Sequence, residues 1–161
     1  GITNAKNKAS ENIFAEETIT AIDATTLDQL YFAYGSDVAI GANARLLLTK
    51  KNLKAFGALR GTNEKRRLLD IVPDMANPNT GIIRDGGVVI PYTISADVTD
   101  EKLLYGDPAN YLLGLFGAYS IRVDESVKAV ERMYAILGDV MVGGNLVVDK
   151  GFVVGTVGGG G

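Results

Sequence analysis

The chain has no cysteine, no histidine and no tryptophan. The first absence excludes a disulfide framework, a thiolate nucleophile and a zinc–sulfur site. The second removes the side chain that titrates near neutral pH and is the commonest metal ligand, and most hydrolytic and metal-dependent mechanisms go with it. Proline is scarce, at 4 in 161 residues. No apolar run approaches the ~20 residues that a bilayer-spanning helix needs, so no membrane role is expected. Gly1 to Ser10 is polar, carries Lys6 and Lys8 and leads into no apolar stretch, so it does not read as a signal peptide. Positive charge is in slight deficit: 16 basic against 19 acidic residues give −3. A nucleic-acid-binding surface spread over the whole molecule is therefore not expected.

What remains is globular. Hydrophobic residues make up 47% and charged residues 22%, and 161 residues suit one domain with a real core. Glycine is abundant at 20 residues, four of which close the chain as Gly158–Gly161.

Residues 1–17 are polar and without periodicity, a lead-in. Thr26 followed by Gln29 fits a capping box, and Leu27, Leu30, Tyr31 and Tyr34 recur on one helical face before Gly35 as a stop. Arg45 to Thr49 reads as a buried strand feeding a second helix, whose inner side carries Leu53, Phe56 and Leu59 and which Gly61 ends. Leu68 to Val72 is another apolar run, stopped by Pro73. Ile82-Ile83 and Val88-Val89-Ile90 flank Arg84-Asp85-Gly86-Gly87, a hairpin signal. Leu103–Tyr105 and Tyr111–Val123 are extended. Ser126–Val142 fits either a helix, through Val127, Val130, Tyr134 and Leu137, or a long half-buried strand. Leu146–Val148 and Phe152–Val154 read as strands around Asp149-Lys150-Gly151. The sum is an α+β chain with more strand than helix.

Chemistry is sparse. No Lys precedes Ser or Thr, so a phosphate-binding P-loop is excluded, and no glycine triplet has the dinucleotide-binding spacing before a helix. No cofactor is implied. Asp97, Asp100 and Glu101 form the densest acidic set and, with Asp107, are the candidates for an enzyme or ligand-binding reading. Their spacing is not that of a calcium loop, and Asp107 in Gly106-Asp107-Pro108 suits a turn. Lys65, Arg66 and Arg67 are the only basic run. Three charges on an acidic protein make a weak field for nucleic acid, which leaves a solvated loop or an ion-pair contact with a neighbouring subunit. Tyr31, Phe32 and Tyr34 suit packing or subunit contact.

Taken in order, the segments resemble the major capsid proteins of tailed phages with the HK97-like fold. Gly1-Ile2-Thr3-Asn4-Ala5 is similar to the junction that follows the family's long spine helix. The first helix, the strand Arg45–Thr49 and the helix with Leu53, Phe56 and Leu59 resemble its next segment. Thr80 to Pro91 is similar to its glycine turn between two hydrophobic strands, Leu103 to Tyr111 to its hydrophobe–Gly-Asp–Tyr signature, and Asp149 to Val154 to its closing strand. Tyr111 to Tyr119 is more apolar and glycine-rich than the family pattern, and Pro91 falls later in its strand. At Ser126–Val142 the resemblance favours a strand.

The resemblance implies a structural protein and no enzyme: an HK97-like α+β body with a mixed sheet flanked by helices and an extended strand region. It divides the chain into a lead-in (1–17), an axial-domain-like part (18–118), a peripheral-domain-like part (119–144), closing axial strands (145–157) and a flexible glycine tail (158–161). On this reading the chain is the C-terminal part of a phage or prophage capsid protein, with the arm, loop and spine helix preceding Gly1. Its partners are identical subunits in hexamers and pentamers, with a scaffold or protease domain compatible and the genome enclosed without sequence-specific binding. By itself this segment is expected to be monomeric or weakly associated. It is placed in the virion, and in the host cytoplasm before assembly. The same resemblance admits an encapsulin-like cellular compartment.

Overall fold

Continuous apolar runs at Leu46–Leu48, Leu103–Tyr105 and Phe152–Val154 give three central strands that are buried on both faces. The computed structural model describes residues 1–7, 9, 11–35, 43–63, 65–128 and 133–158, with the backbone alone at 118–120, 122–128 and 133–137. The described strands are β1 (Ala15–Ile19), β2 (Arg45–Leu48), β3 (Asp70–Pro73), β4 (Thr80–Asp85), β5 (Val88–Ile94), β6 (Lys102–Gly106), β7 (Tyr111–Lys128), β8 (Met133–Leu146) and β9 (Phe152–Val157). Two helices accompany them, α1 (Thr26–Ala33) and α2 (Lys50–Ala58).

Seven strands form one mixed sheet in the order β1-β9-β6-β2-β5-β4-β3, and β7 and β8 form a separate two-stranded ribbon. Pairing is parallel at β1–β9 and β2–β5 and antiparallel elsewhere in the sheet. The architecture is mixed α+β, as the sequence pattern implies.

One face of the sheet is covered by both helices. Leu27 and Leu30 of α1 and Phe56 of α2 pack with Leu46, Leu48, Ile83, Ile90, Tyr92, Leu103, Tyr105 and Val153. Among the described residues the other face is covered over β9, β6 and β2, by the lead-in and by Leu146 at the end of β8. Ala5 and Phe14, with Ile2 and Ile13 beside them, pack on Leu104, Phe152, Val154 and Leu47. Residues 1–17 thus include a 3-10 turn (Ile2–Asn4), two of the six buried residues of this second cluster and the first three residues of edge strand β1. Their apolar residues are too few and too unevenly spaced for a periodicity search to register.

Local chemistry departs from the sequence reading at several points. The capping box at Thr26 does not form. Asp23 Oδ1 accepts from the Thr25 N–H at 2.8 Å and from the Thr25 and Thr26 hydroxyls, while Thr26 Oγ1, fully buried, takes the Asp23 N–H at 2.9 Å. A carboxylate two or three residues upstream out-competes a neutral hydroxyl for the first N–H groups. Hydrogen bonds from Thr25 lead in holding the Asp23 carboxyl below its ordinary pKa. Helix α1 stops at Ala33, short of Tyr34, and Gly35 adopts φ +79° as a stop requires. Helix α2 has an ordinary cap, with Thr49 Oγ1 accepting from the Asn52 N–H at 3.2 Å.

The apolar run Leu68–Val72 enters the sheet later than expected, at Asp70, and Pro73 is its last residue and not its stop. On an edge strand the missing N–H is tolerated. The hairpin forms as read, closed by Asp85 opposite Val88 with Gly86 at φ +55°. Of Ser126–Val142, residues 126–128 and 133–142 are strand, and Val130, part of the helical alternative, lies in 129–132, outside the described residues. Val147 and Val148 bend away after β8 instead of extending it. Of the glycine tail, only Gly158 is among the described residues.

Candidate interaction surfaces

The ribbon is the most unusual surface. Residues facing each other across β7 and β8 include Leu113–Gly144, Leu115–Val142 and Phe116–Met141. Because side chains alternate, Leu113, Leu115, Val140 and Val142 share one face, and Leu112, Phe116 and Met141 share the other. All seven are exposed, Leu115 at 70% and Met141 at 69%. A two-stranded ribbon is marginal in water on its own, and apolar side chains on both of its faces make it more so. Its glycines let aromatic rings lie flat across the strands: the Phe116 ring covers Gly143, and the Tyr111 ring covers Gly144, where a Cβ would sit 2.7 Å from ring carbons. Gly117, at φ +92°, marks the register shift between Phe116 and Ser120.

The ribbon is fixed to the sheet by Leu146, buried in the second core cluster, by Asn145 Nδ2, which donates to the Lys6 carbonyl at 3.0 Å, and by a polar corner. Asp107 and Asn110 are buried, and the segment between β6 and β7 turns on them. Asp107 Oδ1 accepts from the Ala109 N–H at 2.9 Å, capping the short 3-10 helix Pro108–Asn110. Asn110 Nδ2 donates to the Gly151 carbonyl at 3.1 Å and to the Tyr34 hydroxyl at 3.4 Å. The Asn110 carbonyl takes the Val147 N–H at 2.9 Å. One side chain and its backbone thus join the start of β7, the end of β8 and the end of α1. Beside the corner, Tyr34 and Tyr31 flank Tyr105, whose hydroxyl pKa is pushed up to about 12, mainly by burial, with the two neighbouring tyrosines adding.

Asp107 is therefore a turn former. It lies past one end of β6, while Asp97, Asp100 and Glu101 precede the other end. The seven residue steps from Asp100 to Asp107 extend over about 23 Å at ~3.3 Å per residue. Asp97, Asp100 and Glu101 are exposed; Asp100 meets Lys51 Nζ at 3.2 Å. Hydrogen bonds from Thr49 and Lys51 lower the Asp100 pKa. The four carboxylates do not converge, and among the described residues no group of three or more acidic side chains is placed to hold a metal ion.

Lys65, Arg66 and Arg67 are all exposed, in the loop between α2 and β3. Arg67 is bridged directly to Arg60, antiparallel, so two guanidinium-bearing residues face each other. Arg60 donates to the carbonyls of Gly57 and Leu59 at the end of α2, both at 2.9 Å. The Lys51–Asp100 pair is the one ion pair found among the described residues, and none of these four cations shares it.

At the opposite edge of the sheet, Phe32 of α1 is 74% exposed, in edge-to-face contact with Tyr31. It lines an open concavity of about 610 Å³ together with Phe14, Ala15, Glu16, Glu17 and Lys150. The sequence placed Phe32 among packing or contact residues; the structure puts it on the surface. The exposure of the ribbon was missed. Its signal is the adjacent apolar pairs Leu112-Leu113 and Leu115-Phe116 and the run Val140-Met141-Val142, which break alternation in strands that have only each other as neighbours.

A sheet with two helices on one face, a half-covered second face and a projecting apolar ribbon is built for contact with other molecules, and its carboxylates do not gather into a site. The comparison with known families agrees: the sequence model of the phage capsid family matches residues 1–157 of the chain. The chain belongs to the phage capsid family, and it is a viral structural protein, a capsid protein whose place is the virion and whose partners are further identical subunits. No curated protein matches it. Among the described residues no helix is long and apolar enough to cross a membrane.

Proposed function

We propose that the chain is part of the major capsid protein of a tailed phage or prophage, built on the HK97-like fold. Its task is to associate with identical subunits, in hexamers and pentamers, into a closed shell around a genome that it does not read. On this reading residues 18–118 and 145–157 form the body around the centre of each ring of subunits, and 119–144 belong to the peripheral part. Lys65, Arg66 and Arg67 are contact residues between subunits.

The observation that carries the proposal is the β7–β8 ribbon. Its exposed leucines, phenylalanine, valines and methionine form an apolar surface of the kind that marks protein contact. Each such side chain contributes about 1.5–3 kcal/mol when fully buried, so repeated burial against neighbours can drive assembly without redox or proton chemistry.

The test is expression of the full-length subunit followed by light scattering and electron microscopy. Closed shells of uniform diameter support the proposal. Stable monomers at high concentration, with the ribbon still in water, overturn it.

A further inference from the structure

A basic loop lies beside one edge of the seven-stranded sheet, and an acidic concavity lies at the other. Next to β3, the loop after α2 presents Arg60, Lys65, Arg66 and Arg67 to solvent. The close approach of Gly57 to Ile71 Cδ1, 3.3 Å from an ideal Cβ, sets the end of α2 over β3 and so holds this loop at that edge. At the other edge, β1 and α1 line the concavity: Glu17 leaves β1 on the side of α1 and the exposed Phe32, and Glu16 leaves it on the opposite side, where its Oε1 accepts from Asn12 Nδ2 at 2.7 Å. Carboxylates beside an open aromatic ring are the surroundings that suit an arginine: the acidic oxygens accept from the planar fork and the ring stacks beneath it.

Within one copy these surfaces cannot meet. Six inter-strand gaps separate β3 from β1, about 29 Å at ~4.8 Å each. We infer that the Arg60–Arg67 loop of one subunit docks into the Glu16–Glu17–Phe32 concavity of the next, with Arg66 or Arg67 inserted, in a head-to-tail contact between copies. The inference rests on the capsid reading and names the partner of the basic loop. A contact between two different surfaces of the same chain is heterologous, and such contacts close into rings when the rotation allows. It also accounts for the Arg60–Arg67 bridge. Like charges directly opposite each other are unfavourable in an isolated subunit, and an incoming carboxylate relieves the repulsion. Lys150 lies on the same wall, so the concavity carries two carboxylates against one ammonium and retains net negative charge.

The test is charge exchange in the full-length subunit, read as yield of capsomers and shells by sedimentation. Arg66→Glu with Arg67→Glu, and separately Glu16→Lys with Glu17→Lys, are each expected to lower the yield at least about tenfold, since like charges then meet across the contact. Combining all four substitutions restores the opposite signs and is expected to recover most of the wild-type yield. The milder Glu16→Gln with Glu17→Gln is expected to weaken assembly while leaving the melting temperature unchanged, which separates contact from folding. Wild-type yield in either reversed variant, or no recovery in the combined one, overturns the pairing while shells from the wild type leave the capsid reading standing. Normal shells that lose only packaged nucleic acid when the loop is reversed also overturn it, in favour of a polyanion. A wild-type subunit that forms no assembly overturns both.

Discussion

Asn110 Nδ2 lies 3.1 Å from the carbonyl oxygen of Gly151, and that bond ties the root of the ribbon to the turn that leads into β9. Both residues are buried, and a Cβ on Gly151 would stand 2.9 Å from the same nitrogen. Asn110→Ala removes the donor, and Gly151→Ala displaces it. Each is expected to cost about 1–3 kcal/mol in chemical denaturation. In both, amide exchange is expected to quicken first at Tyr111 and Val147. Unchanged exchange there would show that the ribbon is held by something else.

Tyr92 presents the opposite case. Its hydroxyl is buried with no hydrogen-bond partner among the described residues, in a ring that lies over Gly81. Burial also raises its pKa. Removing a buried unpaired polar group relieves a desolvation cost, so Tyr92→Phe is expected to leave stability unchanged or raise it by up to about 1 kcal/mol. Gly81→Ala, whose Cβ would stand 2.7 Å from that hydroxyl, is expected to destabilise by about 1–3 kcal/mol. Thermal melts of the two variants give the comparison.

Tyr105 sets an alkaline limit. Its pKa rises from 10.0 to about 12 in the folded chain, so the native state favours the neutral phenol. That stabilisation is fully present below pH 10 and is lost as pH climbs toward 12, where the folded form also ionises. The denaturation midpoint of the wild type is expected to fall more steeply over this window than that of Tyr105→Phe. Parallel curves would assign the loss to other groups, such as Tyr34 and Tyr92, whose pKa values burial also raises.

On the ribbon, Leu115 and Val142 face each other across the strands. Leu115→Thr with Val142→Thr places β-branched residues in both strands and removes apolar contact area. The melting temperature of the isolated subunit is expected to stay within a few degrees, while the concentration needed for assembly rises at least about tenfold, from ~1.4 kcal/mol or more lost per contact.

The sequence carried the helical face of Leu27 and Leu30, the Asp85–Val88 hairpin and the strand signals at β2, β6 and β9, because each depends on neighbours within a few residues. The corner at Asp107 was legible as a turn for the same reason. Asn110 was not, since its partners Tyr34 and Gly151 are 76 and 41 residues away. The packing of Ala5 and Phe14 on β9 and β6 was hidden in the same way, as was the separation of Asp107 from the other acidic residues by the length of β6. The basic run Lys65–Arg67 was visible as charge, but its distance from Glu16 and Glu17 required the strand order. Family resemblance came from the order of short motifs, which local periodicity alone does not supply.

The lack of cysteine in this chain allows one direct probe of the ribbon. Leu115→Cys places a single thiol on its apolar face, to be challenged with a maleimide in the dispersed subunit and in assembled shells. Rapid labelling when dispersed and strong protection in the shell are the results predicted. Equal labelling in both states would contradict the claim that the ribbon is buried between subunits.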